Sequence, residues 1–120
     1  MYPGARAVVT FSIIAVATTA LAAELVVFES KTCAYCISFN SQAAPRYRAS
    51  PEARRAPLRV VDIERPMPSD LKGIAPPWGT PTFVVVANGR EIGRIAGYEG
   101  DERFYASLDD LLEKIRSTGR

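Results

Sequence analysis

A chain of 120 residues with 15 basic and 13 acidic side chains, two cysteines and no histidine has room for one small domain and no second core. A formal charge of only +2 gives no electrostatic case for nucleic acid or acidic substrates, and Arg46, Arg48, Arg54 and Arg55 read as a solvated helix end and loop. Two cysteines fall short of the roughly four ligands a closed zinc site needs, and Ile37 stands where haem attachment requires histidine, so neither a metal nor another cofactor is expected.

Met1 to Arg6 carries one positive charge, Ala7 to Leu21 is apolar and uncharged, and Ala20-Leu21-Ala22 has the small-x-small form of a cleavage site. That order is a secretory signal peptide over residues 1–22, followed by a domain over 23–120. The alternative is an uncleaved anchor, although an apolar stretch of about 15 to 17 residues is short for a span of about 20. Export would place the cysteines in an oxidising compartment.

Glu24 to Glu29 is a β-forming run with a buried centre, and Thr32 is a candidate cap for a helix from Cys33 to Arg48 that Pro45 should kink or shorten. Residues 51–57 read as loop or a ragged helical turn. Leu58 to Ile63 is a second strand, and strand-helix-strand with short links implies a parallel pair. The prolines at 66, 68, 76 and 77 keep the next stretch irregular, with at most a short helix near Ser69 to Gly73. Pro81 to Ala87 is a third strand, Asn88-Gly89 a hairpin turn, and Arg90 to Ala96 an antiparallel fourth strand. In that fourth strand Ile92 and Ile95 are expected to be buried, and Gly93 marks a bulge. Asp101 is a candidate cap for a last helix whose Phe104, Leu108, Leu111, Leu112 and Ile115 form one apolar stripe. The result is an α/β fold, β-α-β-α-β-β-α, with a mixed four-stranded sheet flanked by helices.

The chemistry is concentrated in Cys33-Ala34-Tyr35-Cys36. Backbone N–H groups and the positive end of a helix favour a thiolate at its N-terminus, and in Cys-x-x-Cys settings the thiol pKa falls from about 8.5 to roughly 3.5–7.5. A second thiol one turn away completes the minimum apparatus for disulfide exchange. A stapling bridge over so short a loop would constrain the unfolded chain little. Thr80-Pro81-Thr82 opens the third strand, which should lie beside the first with its start facing the cysteines. A cis Thr80–Pro81 bond is expected there, turning the Thr80 backbone toward the disulfide to pair with a partner's extended chain. Trp78, Tyr35 and Tyr98 are candidates for an apolar docking rim, with core or edge packing as the alternative.

Strand, Cys-x-x-Cys helix, strand, Thr80-Pro81-Thr82-Phe83, Asn88-Gly89 hairpin and final helix together resemble the thioredoxin superfamily, over about Leu25 to Ile115. Residues 29–36, 77–83 and 94–100 further resemble the small exported thioredoxins of the SoxS type that accompany bacterial thiosulfate oxidation. The resemblance implies a periplasmic thiol-disulfide oxidoreductase with Cys33 and Cys36 as catalytic residues. Its partner would be a protein thiol or disulfide, such as a sulfur-oxidation carrier protein, kept reduced by electrons from a membrane thiol donor. Nothing calls for nucleic acid or an obligate oligomer. The superfamily's buried acid, six residues before the first cysteine, falls on Val27 here, which argues against fast general disulfide reduction. The superfamily's extra N-terminal strand and helix have no counterpart. A thiol oxidase or isomerase remains open, as does a copper-binding module of the same fold.

Overall fold

In the computed structural model, which describes residues 2–15 and 23–118, the first apolar run forms β1 (Ala23–Glu29). Val26, Val27 and Phe28 are buried whichever way they point, so both faces of this strand are covered. Leu58–Asp62 is β2, Thr82–Ala87 is β3 and Arg90–Ala96 is β4. They form one sheet in the order β2-β1-β3-β4. β2 runs parallel to β1, β3 antiparallel to β1, and β4 antiparallel to β3. Asn88 (φ 52°) and Gly89 (φ 73°) both take positive φ in the β3–β4 turn, the backbone that matches the twist of a two-residue hairpin.

The parallel pair requires a crossover, and residues 34–48 begin it as one helical stretch in three pieces. These are α1 (Ala34–Ser38), a π-helical turn at Phe39–Ala43 and α2 (Ala44–Arg48). Pro45 falls in the first turn of α2, where its missing N–H is least damaging. Its ring would meet the carbonyl four residues back in a continued α-helix. The widened turn avoids this, and the Ala44 N–H reaches back five residues to Phe39 O. The sequence expectation of a kink is met by widening the helix. Ser50 then caps α3 (Pro51–Arg55), accepting from the Ala53 N–H at 3.3 Å. A 3₁₀ turn, Ser69–Leu71, interrupts the proline-rich stretch, and α4 spans Asp101–Thr118.

Two expected caps are corrected. Thr32 pairs with the Ser30 hydroxyl at 3.1 Å, and Cys33 itself caps α1, its Sγ accepting from the Cys36 N–H. Asp101 is the first residue of α4, where the Gly100 carbonyl accepts from the Phe104 N–H. The Asp101 carboxylate is turned instead to Tyr98 and Arg46.

The core has two parts. On one face, Leu25, Val27, Phe83 and Val85 meet Phe39 and Tyr47 of the crossover and Phe104, Leu108 and Leu112 of α4. On the other, Val26, Phe28, Val84 and Val86 are covered by Leu71 and Ile74, with Met67 alongside. Ile92 and Ile95 are half-buried against the first cluster rather than fully buried, because β4 is an edge strand. The bulge lies where expected, and a Cβ at Gly93 would stand 2.4 Å from Leu111 Cδ2, so the glycine lets α4 approach the sheet. Residues 2–15 form no helix or strand and expose Val8, Phe11 and Ile13. The expected cleavage pattern at Ala20-Leu21-Ala22 lies outside the described residues. No helix among the described residues is long and apolar enough to cross a membrane.

Candidate active site

The C-terminal end of β1 delivers the chain through the three-residue loop Ser30-Lys31-Thr32 to Cys33, and α1 carries Cys36 one turn on. The two are bonded to each other, with Cα atoms 5.2 Å apart. They differ in access. Cys36 is buried, at 2% exposure, whereas Cys33 is half-exposed. The Cys36 N–H donates to Cys33 Sγ at 3.1 Å and the Ile37 N–H to the Cys33 carbonyl at 3.0 Å. When the disulfide opens, negative charge on Cys33 Sγ is therefore met by an amide already aimed at it and by the positive end of the helix.

The second half of the site comes from the start of β3. The Thr80–Pro81 peptide is cis, and the Thr80 carbonyl oxygen lies 3.3 Å from Cys33 Sγ. The accessible sulfur and the Thr80 backbone thus share one surface. Two hydrogen bonds hold this corner. Thr82 Oγ1 donates to Gly79 O at 2.6 Å, and the Gly97 N–H donates to Pro81 O at 2.8 Å. Trp78 is fully exposed and Tyr35 is 67% exposed between the cysteines. Trp78 shares a groove of about 200 Å³ with Thr80, Pro81, Thr82 and Gly97, whereas Tyr35 stands outside that groove.

Tyr98 belongs to the core wall rather than the rim. Its ring meets Phe39 at 5.3 Å and Phe104 at 6.1 Å between centroids, and its hydroxyl donates to Asp101. Burial first, and the Asp101 hydrogen bond second, push its pKa up to about 12. The same bond, with Arg46 from α2 at 2.7 Å, holds the Asp101 carboxyl below its ordinary value. The latch ties the cysteine-bearing helical stretch to the turn that follows β4.

Two groups at the site are missed by sequence reasoning. Glu29, the last residue of β1, accepts from Asn40 Nδ2 at 2.5 Å, bracing the strand end against the π turn. It lies on the same strand face as the wholly buried Val27, and that two-residue offset is the signal that could have drawn attention to it. Arg94 on β4 donates to the Ala75 carbonyl at 3.0 Å, in the segment leading to Trp78. The bulge at Gly93 was the available clue, because it changes which way Arg94 faces.

Comparison with known proteins agrees with this geometry. A family model described as a thioredoxin-like domain matches residues 13–112. Among solved structures, the chain is similar to the periplasmic thioredoxin SoxS of Paracoccus pantotrophus in its reduced form. Identity is 35% and the TM-score 0.72, covering 77% of this chain and 97% of that one. A Malassezia sympodialis thioredoxin, Mala s 13, shares 18% identity at a TM-score of 0.62, over 76% of this chain and 78% of its own. A Thermus thermophilus thioredoxin shares 24% at 0.58, over 82% and 79%. These last two are likenesses of fold alone. No curated protein sequence matches.

Proposed function

This chain belongs to the thioredoxin-like family and is a thiol-disulfide oxidoreductase acting on protein thiols and disulfides, and from that premise we propose that it works as a reductant. The Cys33 thiolate attacks one sulfur of a partner's disulfide. A Cys33–partner bond forms, and the partner's other sulfur leaves as a thiolate. Cys36, losing its proton, then attacks Cys33 Sγ, which closes the Cys33–Cys36 disulfide and releases the partner's second thiolate. Two electrons pass to the partner, and a membrane dithiol returns them to this chain. The partner's extended chain lies along Thr80 and Pro81, with Trp78 and Tyr35 as its apolar rim. We place this chemistry in the periplasm after removal of residues 1–22, with a sulfur-oxidation carrier protein as the partner. The charge and small-residue pattern of that segment and the likeness to a periplasmic thioredoxin support this.

The observation that carries the assignment of roles is the contrast between the half-exposed Cys33, capped by an amide, and the buried Cys36. Cys33→Ser is expected to abolish exchange, while Cys36→Ser accumulates a covalent partner adduct on Cys33 that mass spectrometry reads directly. An adduct found only through Cys36 would reverse the roles. The direction of electron flow is tested by equilibrating the protein with glutathione. A potential toward roughly −270 mV supports the reductant, and one near −120 mV makes it an oxidase.

A further inference from the structure

Ala75-Pro76-Pro77-Trp78-Gly79 leads into Thr80. The prolines fix φ and bring no N–H, so this stretch has few hydrogen bonds of its own to hold it. It is pinned from outside at both ends, by Thr82 Oγ1 on the Gly79 carbonyl at 2.6 Å and by an Arg94 terminal nitrogen on the Ala75 carbonyl at 3.0 Å. Between the pins Trp78 stands fully exposed.

The grip on Ala75 depends on the β4 bulge. In a regular strand, residues three apart face opposite sides. Here Val85 lies opposite Gly93 and Val86 opposite Glu91, so the extra residue brings Glu91 and Arg94 onto one face. Arg94 Nε donates to one Glu91 carboxylate oxygen at 2.8 Å, and a terminal nitrogen donates to the other. The two side chains are only 26% and 28% exposed. A planar guanidinium has donors enough to hold a carboxylate in a fork and a carbonyl beyond it, which an ammonium cannot match.

We infer that Arg94, braced by Glu91, is a positioning residue for partner recognition: it fixes the Pro76–Trp78 arch so that Trp78 stands over the groove beside Thr80. Arg94 touches neither reacting sulfur. The inference rests on the reading that Trp78 contacts the partner chain.

The test uses the full chain, recycled to its reduced form by dithiothreitol with the uncatalysed rate subtracted, and two substrates, a ten-residue cysteine peptide joined to itself by a disulfide and bis(2-hydroxyethyl) disulfide. Arg94→Gln is expected to raise KM for the peptide roughly tenfold while leaving kcat and the rate with the small disulfide in place. The fluorescence anisotropy of Trp78, the one tryptophan of the chain, is expected to fall. Arg94→Lys should recover only part of the loss. Trp78→Ala should raise KM by itself, and adding Arg94→Gln to it should change nothing further. If Trp78→Ala leaves KM alone, the docking reading fails and takes this inference with it. If Trp78→Ala raises KM but Arg94→Gln does not, or if Arg94→Gln slows both substrates alike, the role of Arg94 alone is overturned. Should Arg94→Gln not fold, Glu91→Gln, which removes only the brace, must raise peptide KM and lower the anisotropy, and unchanged values overturn the inference.

Discussion

The two faces of the sheet are covered by different kinds of structure. On the face under the cysteine helix, Phe39, Tyr47, Phe83, Tyr98 and Phe104 interlock at steep angles, with centroids 4.7–6.1 Å apart. On the other face, one 3₁₀ turn and a proline-rich loop cover Val26, Phe28, Val84 and Val86. They leave a hollow of about 370 Å³ between residues that include Phe28, Val61, Met67, Pro76 and Pro77. The helical face mounts the disulfide on a layer of rings whose edge-to-face packing adds to plain burial. The loop face carries the arch with Trp78, and hydrogen bonds at its ends do what a helix does elsewhere. The disulfide and Trp78 are thus supported by different means, and the second support is the easier one to loosen.

The largest expected effect sharpens this contrast. Phe39→Ala should cost about 3–5 kcal/mol, because its cavity opens among the rings of Phe83, Tyr98 and Phe104, while Leu71→Ala under the loop should cost about 2–3 kcal/mol. Denaturant unfolding of both variants checks it, and equal losses would break the comparison. Gly93→Ala comes next. Its new methyl meets the end of the Leu111 side chain, which can shift, so about 1–3 kcal/mol is expected, read from the same curves. The smallest effect concerns acid. Asp101 has a lowered pKa in the folded chain, so it contributes stability above its unfolded value of about 3.9 and loses that contribution as pH falls through the folded value. The wild type should therefore lose more stability than Asp101→Asn between about pH 5 and pH 2. The difference is small because the Asp101 side chain is 37% exposed and its ion pair is screened by solvent. Parallel curves for the two proteins would remove the latch from the account of the helical face.

The order of strands and helices is legible in the chain because its signals are local. Asn88-Gly89 announces positive φ, and the run from Thr82 to Ala87 announces a strand buried throughout. The α4 stripe is read from spacing alone. The pieces that escape are those settled by competition between neighbours. Thr32 has the right chemistry for a cap, but Ser30 takes its hydroxyl and the Cys33 sulfur takes the amide. Pro45 announces trouble in a helix without saying that the remedy is a wider turn. The pairing of Arg94 with Glu91 follows only once the register of the bulge is fixed, and Glu29 reads as a strand end until Asn40 comes down on it. Tyr98, a candidate for rim or core, packs half-buried against the core because Phe39 and Phe104 leave a place for its ring and Asp101 a place for its hydroxyl.

The bond from the Gly97 amide to the Pro81 carbonyl also limits how another polypeptide can lie against this corner. Pro81 has no amide hydrogen and its oxygen is engaged, while the Gly79 oxygen already receives Thr82. Under the docking proposed above, a visiting strand would find its rung at residue 80, and sliding by one position in either direction would cost it that rung. Its alignment would then be set by main-chain geometry before any side chain is consulted. On that proposal, one scaffold of this kind would accept unrelated sequences and still bring the same atom of each to Cys33.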